Sequence, residues 1–221
     1  MDVGQAVAAR RSVRAFRDEP VALDMLRSLA IQAARAATGG NLQPWHVDIV
    51  HGEAMVRLKA IMAETLASGR LERAAYAVYP RELTDPYRTR RFGVGEAMYA
   101  HLGIPRTDKA ARLAWFANNF RFFGAPAAYF VTVDRRMGPP QWADLGMYLQ
   151  ALMLLAVGEG LATCAQEAWA VYPETVEGFL GTPAERMVFC GVAIGLEDPD
   201  APVNRLRSDR ADAGEWLRVA G

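Results

Sequence analysis

Four short segments hold the polar groups best suited to chemistry. Arg10-Arg11-Ser12-Val13-Arg14, with Arg17 following, puts three guanidinium groups and a hydroxyl into five residues. Guanidinium forks bind phosphate and carboxylate oxygens bidentately, and serine adds a neutral donor. Asn204-Arg205-Leu206-Arg207 supplies a second pair of arginines, alternating so that in an extended segment both point to one side. In Thr38-Gly39-Gly40-Asn41-Leu42-Gln43-Pro44-Trp45 the glycines let backbone approach a ligand closely. Asn41 and Gln43 each carry a donor and an acceptor, suited to the edge of a heterocycle. Trp45 either stacks on a ligand or anchors the core. Gly160-Leu161-Ala162-Thr163-Cys164-Ala165-Gln166-Glu167-Ala168-Trp169 reads as a turn that could aim backbone donors at a ligand. Each segment also has a plainer reading: a solvated charge run, a connecting loop, or a structural turn.

Other chemistries have no matching motif. There is no GxGxxG after a strand, no phosphate-binding GxxxxGK[ST] loop, and no GxSxG nucleophile turn. No HExxH or paired CxxC is present to hold a metal. His46, His51 and His101 are scattered and read as structural. Cys164 reads as a small buried residue, and it shares no pairing motif with Cys190. Anion-binding groups without an evident nucleophile, base or metal point to an organic cofactor that carries the reaction.

Composition bounds the setting. Of 221 residues, 52% are apolar and 23% charged, which is a globular profile. The 25 basic residues cancel the 25 acidic ones, leaving no electrostatic footprint for nucleic acid or an anionic membrane. Only Lys59 and Lys109 are lysines, so nearly every cation is a planar, permanently charged fork. Two unpaired cysteines argue for a reducing compartment. The N-terminal residues lack a signal-peptide h-region, and Leu152–Val157 is far too short to span a bilayer. The expected location is the cytoplasm.

The elements that must position these groups follow from periodicity. Val3, Ala6 and Val7 mark a short first helix. Leu23, Leu26, Leu29, Ala30, Ala33 and Ala34 share one face of a second. Residues 46–50 read as a strand and 53–68 as an amphipathic helix. Residues 70–112, rich in arginine and tyrosine, read as helices joined by loops. Residues 127–133 form an apolar run, hence a strand buried on both faces. Residues 142–157 read as a helix apolar nearly all round, which points to a subunit interface or a deep core. A further helix opens at Pro173, and residues 187–194 read as a last buried strand. Helices first, then strands alternating with helices, imply one α+β or α/β domain, spanning 1–221, around a small sheet.

Taken together, the motifs RRSVRAF, GGNLQPW, GLATCAQEAW and NRLR, in this order, resemble the nitroreductase family of flavoproteins. DPYRTRR and NFRFFGAP resemble the branch that includes nitrobenzoate reductases. The resemblance implies a three-layer α+β fold, an intertwined homodimer with the apolar helix at its centre, and FMN at the subunit interface. It implies that Arg10, Ser12 and Arg14 hold the phosphate, ribityl chain and pyrimidine side, with Arg11 close by. Arg205 and Arg207 would complete the phosphate site. Thr38, Gly39, Asn41 and Gln43 would meet the flavin, partly from the other subunit, and the backbone of Glu167 and Ala168 would face its N5 and O4. Two positions depart from the family pattern: Ala37-Thr38 where Pro-Ser is common, and Ala162 where Gly is common. The implied activity is an oxidoreductase taking hydride from NADH or NADPH and passing it to a nitroaromatic or related flat acceptor in ping-pong fashion. The same scaffold also admits enone or quinone reduction, reductive dehalogenation, or flavin binding without turnover. Residues 85–123, with Tyr87, Arg88, Arg90, Arg91, Phe92, Phe120, Arg121, Phe122 and Phe123, are expected to set acceptor choice, the arginines of 88–91 meeting an acceptor carboxylate.

Overall fold

Four antiparallel strands lie in the order β1-β2-β4-β3, with helices on both faces, in a computed structural model that describes residues 1–221. They are β1 (His46–His51), β2 (Ala127–Asp134), β3 (Ala162–Gln166) and β4 (Arg186–Gly195). The helices are α1 (Val3–Ala9), α2 (Leu23–Ala33), α3 (Gly52–Ala67), α4 (Tyr87–His101), α5 (Lys109–Phe116), α6 (Pro139–Gly158), α7 (Pro173–Leu180) and α8 (Ala213–Trp216). The α+β class follows; the parallel-sheet alternative does not. A double-sided apolar strand is usual in parallel sheets. Here β2 is buried on both faces because helices cover both sides of an antiparallel sheet.

Alternation along β2 divides the core. Tyr129, Val131 and Val133 face Leu26 and Leu29 of α2 and Leu145, Leu149 and Leu152 of α6. Ala128 and Phe130 face the opposite layer, with Met55, Leu58 and Met62 of α3 and Val176 of α7. The period-two register puts successive side chains into different layers, so a one-residue slip would invert both cores.

The long helix is three residues longer at its start than the apolar pattern indicated. Pro139 and Pro140 occupy its first turn, where a missing N–H costs no hydrogen bond, and the Gln141 side chain accepts from the Gly138 N–H at 3.3 Å. α6 is not buried all round. Asp144, Leu145, Tyr148, Leu149, Leu152 and Ala156 face inward, while Met147 is 41% exposed on the outer side.

Residues 160–169 are not the simple turn expected. Ala162–Gln166 pairs with β4 in register from Ala162↔Gly195 to Gln166↔Gly191, and a 3-10 turn, Glu167–Val171, follows. The strand is five residues of mostly small side chains, too short to reveal an alternating pattern. Its far edge is covered by the N-terminal segment, with Ser12 bridging Thr163 and the Val13 N–H donating to the Thr163 carbonyl at 3.0 Å.

Trp169 sits at the centre of the second core layer, fully buried. It stacks on Phe122 with centroids 4.5 Å apart and meets Phe120 and Phe130 edge-on. Its indole lies over Gly191, where an added Cβ would come within 2.4 Å of Cδ1. Gly191→Ala must therefore displace the indole or bend β4, an overpacking cost of about 1–3 kcal/mol. The melting temperature should fall by roughly 2–12 °C. An unchanged thermal melt would mean that the indole has room to move.

Candidate functional site

The site begins where α1 ends. Asp2 and Gln5 form a capping box at its start, and the backbone turns extended at Arg10. The next residues run alongside β3, held by the Ser12–Thr163 bridge, with Val13 buried beneath. The Arg14 N–H donates to Asn204 Oδ1 at 2.8 Å. Asn204 Nδ2 donates to the carbonyls of Ala15 and Asp198, each at 2.8 Å. Asn204 is only 4% exposed, so this one amide joins the N-terminal arginine segment to the chain's C-terminal part.

Between the two segments lies a cavity of about 680 Å³. Arg10, Arg11, Ser12, Arg14, Arg207 and Arg210 line it, with Gln150 of α6 and Val94 of α4. No carboxylate lines it. Arg11 forms an ion pair with Glu197, yet its buried Nε has no partner. Arg207 donates to the Asn204 and Leu206 carbonyls, both at 2.9 Å, and Arg210 to Ser208 and Asp209. Arg14 reaches the Ser12 carbonyl at 3.3 Å. Four guanidinium groups thus surround one cavity without an acidic partner. Such an arrangement favours an anion with several oxygens, above all a phosphate.

Arg10, Arg11, Ser12, Arg14 and Arg207 are therefore brought together as expected. Arg205 closes a 3-10 turn, Pro202–Arg205, and its exposed side chain does not line the cavity. The turn rotates it away from Arg207, so the two do not alternate along an extended strand. Arg210, Gln150, Val94 and Asn204 had no assigned role in the sequence reading. Asn204 lay within a recognised motif, whereas Arg210 carried no periodic signal.

The remaining candidates lie elsewhere on the chain. The Thr38 hydroxyl donates to Asp144 Oδ2 at 2.9 Å, and the Gly39 N–H reaches both carboxylate oxygens at 3.2–3.3 Å. Buried Asp144 thereby pins this loop to α6. Beyond it, Asn41 (φ 58°) and Gln43 (φ 49°) adopt left-handed backbone, and both side chains are exposed. Left-handed conformation at a glutamine is uncommon and costs about 1–3 kcal/mol, a pattern associated with functional loops. Trp45 stacks on Tyr148 at 5.2 Å and so anchors this loop to the core. Glu167 and Ala168 open the turn after β3, roughly 13 Å along the strand from Thr163. Desolvation raises the Glu167 carboxyl above its ordinary range, although its side chain is exposed at the surface. Cys164 is buried, and burial raises its thiol pKa despite Arg14 and Arg10 nearby. A buried thiol with a raised pKa holds little of the nucleophilic thiolate form.

The arginines of 88–91 are occupied. Arg88 pairs with Asp85, Arg90 with Glu215, and Arg91 lies over the Tyr79 ring. Phe120, Phe122 and Phe123 are buried.

The family model described as "Nitroreductase family" matches residues 7–196, most of the chain. The chain belongs to the nitroreductase family. The 4-nitrobenzoate reductase of Pseudomonas putida is 34% identical over 220 residues, covering all of this chain and 96% of that protein. The crystal structure of an FMN and NADPH-dependent nitroreductase, NfnB, from Sphigopyxis sp. strain HMH is 48% identical, with a TM-score of 0.96 and complete coverage of both chains. An FMN-dependent NfnB from Mycobacterium smegmatis, solved in complex with NADPH, is 31% identical with a TM-score of 0.93, again over both whole chains.

Within this nitroreductase-family fold, Asn204 is the residue on which the arginine cavity is assembled. Asn204→Ala would leave the Arg14 N–H and the Asp198 carbonyl without this partner, while the Ala15 carbonyl keeps the Asp198 N–H at 3.1 Å, costing about 1–3 kcal/mol for each group that water cannot reach. A fall in melting temperature of at least about 2–4 °C is expected. A melt like the parent's would show that water replaces the amide and that the stitch is dispensable.

Proposed function

We propose that this protein is an FMN-dependent NAD(P)H oxidoreductase that reduces nitroaromatic acceptors. The observation that carries this reading is the arginine cavity, where four guanidinium groups gather without an acidic partner in a fold of the nitroreductase family. The residues fit a flavin mononucleotide. The Arg11 Nε is buried without a partner, and Arg10, Ser12, Arg207 and Arg210 present donors to a terminal phosphate. Arg14, which also lines the cavity, would take the pyrimidine side. Arg205 would add charge from outside the cavity. Glu167 and Ala168 would supply backbone donors near the redox-active edge. Thr38, Gly39, Asn41 and Gln43 would meet the flavin, partly from the other subunit. Held by these residues, a flavin would supply hydride transfer between NADH or NADPH and a flat acceptor. The chain itself would bind and orient the reactants, and the protons that nitro reduction consumes with each hydride would come from solvent.

Release of the cofactor by heat, followed by chromatography, should yield FMN; FAD would overturn the assignment. Arg10→Ala and Arg207→Ala should each weaken FMN binding about 10- to 150-fold, the value of one charge-assisted phosphate contact. Turnover with a nitroaromatic at saturating FMN should change much less. Equal FMN affinity in parent and variants would remove the phosphate from this cavity.

The homodimer is part of the same reading. On the outer side of α6, Ala143, Gly146, Met147 and Leu154 follow helical spacing and lack a covering layer, and α1 beside it exposes Val3 and Val7. Such a continuous apolar face fits a second copy of the chain better than solvent. No helix is long and apolar enough to cross a membrane. Two free, buried cysteines support a reducing cytoplasm. Light scattering should report about twice the 24.2 kDa chain mass, and Met147→Glu should shift the population toward one chain. A parent protein that is folded and active at the mass of one chain would end the dimer reading.

A further inference from the structure

The inner face of α6 carries a single charge. Asp144 is 4% exposed, and its carboxylate accepts only from the Thr38 hydroxyl, at 2.9 Å, and from the Gly39 N–H, at 3.2–3.3 Å. It forms no ion pair, so a buried carboxylate spends all its bonds on the loop between α2 and β1. Taking a carboxylate out of water is costly, and an apolar side chain of similar volume would serve the core better. Leu145 and Leu149 beside it are such side chains. The charge therefore serves the loop and not the packing.

Its effect reaches the far end of that loop. A hydroxyl has one proton to give and lone pairs that accept, whereas an ionised carboxylate only accepts. Asp144 takes the Thr38 proton, which leaves a lone pair for the Gln43 N–H, 3.0 Å from Thr38 Oγ1. Carboxylate, hydroxyl and amide thus form a chain with one fixed direction. Tyr148, one turn further along α6, stacks on Trp45 and holds the exit.

Between these anchors the backbone is strained. Asn41 (φ 58°) and Gln43 (φ 49°) are left-handed, a conformation that persists only where surrounding structure enforces it. Gln43 Nε2 donates to Asn41 Oδ1 at 3.1 Å. The two exposed amides are thereby set against each other, with the Asn41 Nδ2 donors and the Gln43 Oε1 acceptor left for a ligand.

We propose that Asp144 is a positioning residue for the cofactor: without touching it, Asp144 acts through the Thr38 hydroxyl to hold Asn41 and Gln43 in the one conformation that meets the flavin. The inference rests on the proposed function for the identity of the group that the loop meets. The chain from Asp144 to Gln43 stands on geometry alone.

A double-mutant cycle on FMN affinity tests the coupling, because Asp144 and Asn41 do not hydrogen-bond to each other. Asn41→Gly, which removes the amide and tolerates the positive φ, should weaken FMN binding about tenfold in the parent. In an Asp144→Asn or Thr38→Val background the same change should cost less than about twofold, since Asn41 is no longer held in place. Thr38→Ser keeps the hydroxyl and should behave as the parent. Hydrogen exchange of the Gln43 amide in FMN-loaded protein gives a readout independent of affinity, and it should quicken about tenfold in Thr38→Val and Asp144→Asn. Thermal melts identify a variant that fails to fold; Thr38→Val, which leaves the buried charge in place, then carries the cycle. Additive losses in FMN affinity overturn the proposal, as does a lowered melting temperature with Gln43 exchange unchanged, the result of a purely structural role. FMN affinity unmoved by Asn41→Gly but weakened by Arg10→Ala also overturns it, while the arginine cavity keeps its assignment. Quickened Gln43 exchange in a protein that binds no flavin would reject the proposed function and leave only the chain from Asp144 to Gln43.

Discussion

Guanidinium groups gathered around one cavity repel one another, and no carboxylate lines that cavity to offset the repulsion. The arrangement persists because neutral contacts hold the backbone beneath it. Asn204 spends both ends of its amide on Arg14, Ala15 and Asp198, and Thr163 takes Val13 on the edge of β3. A carboxylate in place of Asn204 would neutralise the arginines it positions. An amide fixes the chain and leaves their charge for a ligand. Site and fold are therefore one problem, because these contacts, with the Arg11–Glu197 ion pair, join the N- and C-terminal segments that make the cavity.

The sheet makes this possible by being covered twice. α2 and α6 occupy one face, and α3, α7 and the Trp169 cluster the other. With both faces committed, the exposed edge of β3 is where the Ser12 segment can pair. Gly191 lets Trp169 pack against β4, and this aromatic centre in turn holds the Phe122–Phe123 turn. α6 serves both layers of organisation: its inner face completes the core, Asp144 holds the strained loop, and Gln150 reaches the arginine cavity.

The charged segments were legible in the sequence because residue type alone carries their chemistry. Arg10, Arg11, Ser12, Arg14 and Arg207 meet as expected, and the absence of nucleophile, base and metal motifs pointed to an organic cofactor. The aromatic-rich stretch was less legible. Phe120 and Phe122 pack on Trp169, while Arg88, Arg90 and Arg91 meet Asp85, Glu215 and Tyr79 at the surface. Composition cannot distinguish an arginine with a partner from one without, since the partner can lie 125 residues away, as Glu215 does from Arg90.

By itself, the sequence determined the α+β class, the doubly buried strand 127–133, the long helix and the anion-binding character of the chain. These rest on local properties: periodicity, residue charge and the fixed φ of proline. Tertiary structure alone decided that the sheet is antiparallel, that 162–166 is a strand, and that Arg210 joins the cavity while Arg205 does not. Each of these depends on contacts between distant segments, where a hydrogen bond or an ion pair exists only once the chain has closed on itself.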